Sequence, residues 1–139
     1  MNLDQLSNVI SHAAAPAFLI GAVAGFVAVL MGRMNGIIDR IRAVNGIAAD
    51  DEARAHLKSD LPRLKRRAKL MNDAIHFAVG SALCTTVLVI LAFVSAFFGF
   101  RHEPGVAAMF VLALGLLGAS LLTLAREVRI ALTEFDHYG

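Results

Sequence analysis

"GRMNGIIDRIRAVNG", residues 32–46, starts on the last residue of an apolar run, 13–32, that contains no Asp, Glu, Lys or Arg. The charges arrive at once, beginning with Arg33, and yet the apolar residues do not stop. Met34, Ile37, Ile41, Val44 and Ala48 recur at spacings of three and four, which defines one face of a helix. Asp39, Arg40 and Arg42 lie off that stripe. The spacing therefore predicts that an uncharged helix continues without a break into an amphipathic one. Asn45–Gly46 is the stop signal.

Two further uncharged runs, 77–100 and 104–125, accompany the first. A helix needs about 20 residues to cross a hydrocarbon core of about 30 Å, and all three runs suffice. The second has a surplus that tilt can absorb. Apolar residues make up 58% of the 139, above the roughly 45–50% of soluble domains. The first run reads as a retained transmembrane helix and not as a removable leader. Its start has no Lys or Arg, and the small residues "HAAAPA" precede the apolar core instead of following it. Pro16 is expected in or near the first helical turn. The lone Cys84 cannot form an internal disulfide and reads as a packing residue.

Ten of the thirteen Lys and Arg residues lie between Arg33 and Lys69, and Arg126 and Arg129 follow the third run. The connection between the second and third runs holds only Arg101, beside Glu103. One orientation puts both basic segments in the cytoplasm: N-terminus outside, "RHEPG" an outer turn, C-terminus inside. The returning half of the basic segment repeats the helical spacing at Leu57, Leu61, Leu64, Ala68, Met71 and Ile75. Ser59 or Asp60 is a cap for it, and Pro62 falls within its first turn. "AADDEARAHLKS" between the two stripes reads as a short helix or a turn. After the third run, Leu121, Ala125, Val128, Leu132 and Phe135 continue another stripe.

The expected fold class is all-α: an integral membrane protein with three transmembrane helices. It is a single membrane domain over 1–139, with spans at 13–32, 74–100 and 104–125. Helices one and two extend into a cytoplasmic helical hairpin over 33–73, and a cytoplasmic C-terminal helical tail covers 126–139.

"AAPAFLIGAVAGFVAVLMGRMNGIIDRIRAV", "LKRRAKLMNDAI" and "LAREVRIAL" together resemble the domain of unknown function 2721 family of small bacterial membrane proteins. The resemblance runs from about Ala14 to Leu132. "IIDRIR" and "REVR" are its most specific parts. In the family pattern a further basic residue stands where this chain has Gly36, and another where it has Asp73. The resemblance implies a bacterial inner-membrane location and no particular activity.

Four sets of residues are candidate sites. Small residues Gly21, Gly25, Ala28 and Gly32, with Gly115 in the third span, allow close helix packing within or between subunits. Ser81, Thr85, Leu88, Ala92 and Ser95 form a weakly polar stripe on the second span. It can line a pore in an oligomer, or bond backbone carbonyls, or meet a neighbouring helix. Arg33, Asp39, Arg40, Arg42, Glu127 and Arg129 form a cytoplasmic charge network, with Glu127 the natural partner of Arg40 or Arg33. It acts either as a pin between helices or as a vestibule. Arg63, Lys65, Arg66, Arg67 and Lys69 are candidates for anionic lipid headgroups, a simpler partner beside a membrane than nucleic acid.

No nucleophile–base pair, phosphate-cradling loop or metal-ligand spacing appears, so no enzyme, cofactor or metal is expected. His12, His102 and Glu103 lack recognised ligand spacing. His76 sits at the inner interface, and His56 and His137 are expected to be exposed. No charge lies within any span, which argues against a coupled transporter. The sequence leaves two functions open. One is a homo-oligomeric ion-conducting pore lined by the second span. The other is a non-catalytic scaffold or regulatory subunit that binds a partner or anionic lipid through its basic helices.

Overall fold

A computed structural model describes residues 2–47, 55–99 and 103–138. Three helices dominate them: α1, Leu3–Asn45; α2, Leu61–Phe98; and α3, Glu103–Tyr138. A 3-10 turn, Ala55–Asp60, leads into α2. No strand occurs among the described residues. With 43, 38 and 36 residues, each helix is far longer than a bilayer crossing requires. At 1.5 Å per residue they span about 65, 57 and 54 Å, against about 30 Å of hydrocarbon.

Local chemistry sets the helix ends. Asn2 Oδ1 accepts the N–H of Gln5 at 2.8 Å, and Asn2 N–H donates to Gln5 Oε1 at 3.2 Å. This reciprocal capping box starts α1 at Leu3. Pro16 therefore lies inside the helix, not in its first turn as the sequence reading had it. Its ring removes one backbone bond, but its side chain is buried in a packing position. At the other end, Gly46 N–H donates to the Arg42 carbonyl at 2.9 Å and Ile47 N–H to that of Val44 at 3.2 Å, so Asn45–Gly46 does stop α1. The left-handed glycine is elsewhere: Gly99, φ 75°, closes α2. Pro62 is in the first turn of α2, and Asp60 immediately precedes that helix. Most of "AADDEARAHLKS" and the first two residues of "RHEPG" lie outside the described residues; Glu103, Pro104 and Gly105, expected in the outer turn, instead begin α3.

A seven-residue repeat organises the buried positions. On α1 they are Pro16, Val23, Leu30, Ile37 and Val44. On α2, Leu64, Met71, Ala78 and Thr85 alternate with Ala74, Ser81, Leu88 and Ser95. On α3 they are Ala113, Ser120 and Glu127. An apolar repeat averaging 3.5 residues keeps one seam of each helix turned inward and implies left-handed supercoiling. The stripes expected at Met34, Ile37, Ile41 and Val44 on α1 and from Leu61 to Ile75 on α2 follow these seams; Leu57 lies in the 3-10 turn, and Ala48 lies outside the described residues. The one foreseen on α3 does not: Leu121 and Leu132 are 48% and 60% exposed. The true α3 seam runs through Ser120 and Glu127, whose polar groups have partners inside. Hydrophobicity alone selected the wrong face.

The chain forms two compact units, and each long helix contributes to both. One comprises Met1–Val27 and Phe77–Ala119; the other comprises Ala28–His76 and Ser120–Gly139. The core of the first is built from small side chains, Val23, Ala78, Ser81, Thr85 and Ala113, with Leu88. The core of the second is built from larger ones, Leu30, Ile37, Val44, Leu64 and Met71, around Glu127.

Three segments, Ala14–Asn45, His56–Ser95 and Pro104–Thr133, contain stretches long and apolar enough to cross a membrane. Only 17%, 22% and 11% of those stretches is buried within the chain. Phe18, Leu83, Ile90, Val111 and Leu122 all point outward. An apolar surface this continuous is stable against lipid, not water. Among the described residues the fold is all-helical, with three helices that could cross a membrane, consistent with a multi-pass membrane protein.

Candidate functional site

The second unit carries a charged side chain, Glu127, in its core. Arg33 follows the uncharged part of α1, Arg67 lies on the buried seam of α2 between Leu64 and Met71, and Glu127 occupies the α3 seam. The Glu127 side chain is fully buried, while those of Arg33 and Arg67 are 34% and 16% exposed. Arg33 donates through Nε, at 2.9 Å, and through Nη2 to the same carboxylate oxygen, Oε2. Arg67 Nε donates to Oε1 at 2.9 Å. One carboxylate thus clasps guanidinium groups from two other helices.

Desolvating Glu127 alone would be prohibitive; three charge-assisted hydrogen bonds make the burial tolerable. Removing one member of such a buried pair typically costs about 3–5 kcal/mol, because the others keep their burial and lose their partner. The planar guanidinium suits this geometry, since its fork presents several donors in fixed directions.

The charge network expected from sequence is therefore divided. Arg33 and Glu127 meet as foreseen. Arg40 does not join them and is exposed, as is Arg129. Asp39 and Arg42 form a separate surface pair at 3.9 Å, with side chains 76% and 79% exposed, which contributes little. The missing member was Arg67. Its signal was register: it shares the seam with Leu64, Met71 and Ala74, whereas Lys65, Arg66 and Lys69 fall off it. Of the five lipid-binding candidates, Lys65, Arg66 and Lys69 are exposed, Arg63 is half-buried, and Arg67 is committed to Glu127.

The weakly polar stripe of α2 belongs to the interior of the first unit. Ser81 Oγ donates to the Ala113 carbonyl on α3 at 2.7 Å, and both residues are fully buried. Thr85 Oγ1 donates back to the Ser81 carbonyl at 2.8 Å. Leu88 and Ser95 are buried and Ala92 half-buried. Of the roles left open for this stripe, the geometry matches carbonyl bonding and contact with a neighbouring helix. Ser120 Oγ repeats the arrangement in the second unit, donating to the Ala74 carbonyl at 2.7 Å.

The small-residue face is turned the other way. Gly21, Gly25, Ala28 and Gly32 are all exposed, as is Gly115. A Cβ added at any of those four glycines would meet nothing within 4 Å. They do not serve close approach within the chain. Gly80, which was not singled out, is better packed: its Cβ would touch Leu116 at 3.5 Å.

His76 Nδ1 lies 2.8 Å from the Asn72 carbonyl on its own helix, and His56 is exposed. Among the described residues no group of His, Cys, Asp and Glu is arranged to hold a metal ion. Cys84 is half-buried and free.

No curated protein and no solved structure matches this chain. A family model does, over residues 13–137, which takes in all of α2, most of α1 and α3, and every residue of the clasp. Its description is "Protein of unknown function (DUF2721)", and the chain belongs to that family.

Proposed function

We propose that this is a non-catalytic scaffold or regulatory membrane protein that associates with itself and holds anionic lipid headgroups on its basic helical segment. The observation that carries the reading is the sorting of the cations on α2. Arg67 is drawn inward to Glu127, while Lys65, Arg66 and Lys69 share the outward side just before the uncharged run begins. Basic residues at that depth gain about 1 kcal/mol each from an anionic membrane surface. The charge asymmetry of the connecting segments supports an orientation with the N-terminus outside and the C-terminus cytoplasmic; the bacterial inner-membrane location is what the family resemblance implies. The outward glycines of α1 support self-association, since small residues let a neighbouring helix approach closely.

A pore lined by Ser81, Thr85, Leu88, Ala92 and Ser95 is the less favoured reading. It would require Ser81 to release the Ala113 carbonyl and the stripe to leave its packing. The test of the first reading is a Lys65→Glu/Arg66→Glu/Lys69→Glu variant in liposomes of phosphatidylglycerol mixed with phosphatidylcholine. Lipid retained after extraction is expected to lose its enrichment in phosphatidylglycerol while helix content is unchanged. Undiminished enrichment would remove the proposal. Salt-dependent ion flux through wild-type liposomes would bring back the pore.

A further inference from the structure

We propose that the face of α1 carrying Asn35, Asp39 and Arg42 docks a second copy of this chain, with the two α1 helices side by side and parallel about a twofold axis. The inference rests on the self-association in the proposed function and names its surface.

Position isolates the face. Within the second unit, α1 turns Leu30, Ile37 and Val44 inward. Ala28, Gly32, Asn35, Asp39 and Arg42 each stand two positions from one of these, about 200° around the helix. All five are exposed, on the side turned away from their own chain's seam. Their spacing is four, three, four, three. Such a repeat keeps one face against a neighbouring helix along a left-handed supercoil. Nothing in the chain stands over it: a Cβ at Gly32 or at the adjoining Gly36 would meet no atom within 4 Å.

Charge names the occupant. A twofold contact needs a patch that complements itself. Asp39 and Arg42 carry opposite charges three residues apart, and their contact within the chain is loose, at 3.9 Å with side chains 76% and 79% exposed. Helix side chains lean toward the helix N-terminus, so in a parallel pair Arg42 of each copy leans into the layer of Asp39 of the other. Asn35 both donates and accepts, so two copies satisfy each other across the axis; among the described residues it has no hydrogen-bond partner. An asparagine at such a seam fixes register and the number of helices. An anionic headgroup would match Arg42 and oppose Asp39; only a surface with both signs matches both.

The experiment uses the full chain in liposomes, labelled at its N-terminus, with energy transfer between copies read over a lipid-dilution series. Neutralising one exposed charge changes little, so the test reverses it. Wild-type protein is expected to pair. Asp39→Arg puts like charges across the axis and is expected to weaken pairing at least about tenfold. Asp39→Arg/Arg42→Asp is again self-complementary and is expected to restore it. In a Cys84→Ser background, copper phenanthroline is expected to link Ala28→Cys and Gly32→Cys chains into dimers. It is expected to leave Arg40→Cys chains, about a third of a turn off the face, as monomers.

Unchanged pairing of Asp39→Arg, or no recovery in the swapped variant, would overturn the inference. Wild-type pairing with crosslinks at Arg40→Cys and none at Ala28→Cys or Gly32→Cys would also overturn it, while self-association through another surface would stand. Wild-type chains that never pair would remove the inference and the self-association of the proposed function together. Should Asp39→Arg fail to fold, the crosslinking pattern decides.

Discussion

The two units pack helices at the same seven-residue spacing with different chemistry. In the first, Ser81 on α2 reaches the backbone of Ala113 on α3, and the seam is mostly Ala, Ser, Thr and Val. In the second, Leu, Ile and Met fill the seam and an ion clasp crosses it. Uncharged helices surrounded by lipid gain little from burying large apolar side chains, because the surroundings are equally apolar; small residues and hydroxyl–carbonyl bonds give contact instead. Where charged residues mark contact with water, large apolar knobs regain their advantage, and specificity comes from buried ions. The difference teaches that the polar groups inside this protein are packing devices matched to two surroundings.

Removing the clasp should produce the largest effect. Glu127→Ala leaves Arg33 and Arg67 partly buried without the carboxylate they share, and is expected to cost about 3–5 kcal/mol in reversible unfolding in detergent. A loss below about 1 kcal/mol would erase the distinction between the units. Leu64→Ala should come next, at about 2–4 kcal/mol, since Leu64 is 2% exposed in the second unit. The outward Leu83→Ala is the control and should stay within about 0.5 kcal/mol. Equal losses for the two would show that the seam is misplaced.

Ser81→Ala sharpens the comparison from the other side. A hydroxyl bond between membrane helices averages about 0.6 kcal/mol and rarely exceeds about 1.7. A loss in that range, far below the clasp's, is expected. The smallest effect belongs to Asp39→Asn, which removes half of an exposed pair at 3.9 Å and should change stability by less than about 0.5 kcal/mol. A larger change would put Asp39 in a contact that the isolated chain lacks.

Much of this was legible in the sequence. Runs without charge announced the three spans, and the Met34–Ile37–Ile41–Val44 stripe announced that α1 continues past its span. Register within the basic segment was harder. Arg67 looks like Arg66 and Lys65 until the period is followed from Leu64 to Met71. The α3 seam was missed because Ser120 and Glu127 look like surface residues, and only a partner on another helix makes them interior. The orientation of the glycine face was ambiguous for a related reason: α1 carries an apolar seam and a small-residue seam, and composition does not say which one meets its own chain. Pro16 was misplaced because the Asn2–Gln5 box, which sets the true start of α1, went unread.

Glu127 is held jointly by Arg33 and Arg67. A double-mutant cycle combining Glu127→Gln with Arg67→Gln tests it most directly, with Arg40→Gln as the comparison partner. The predicted coupling is about 1–3 kcal/mol for Arg67 and within about 0.3 kcal/mol of zero for Arg40. The reverse pattern, coupling through Arg40 and none through Arg67, would contradict the structure's assignment of the site.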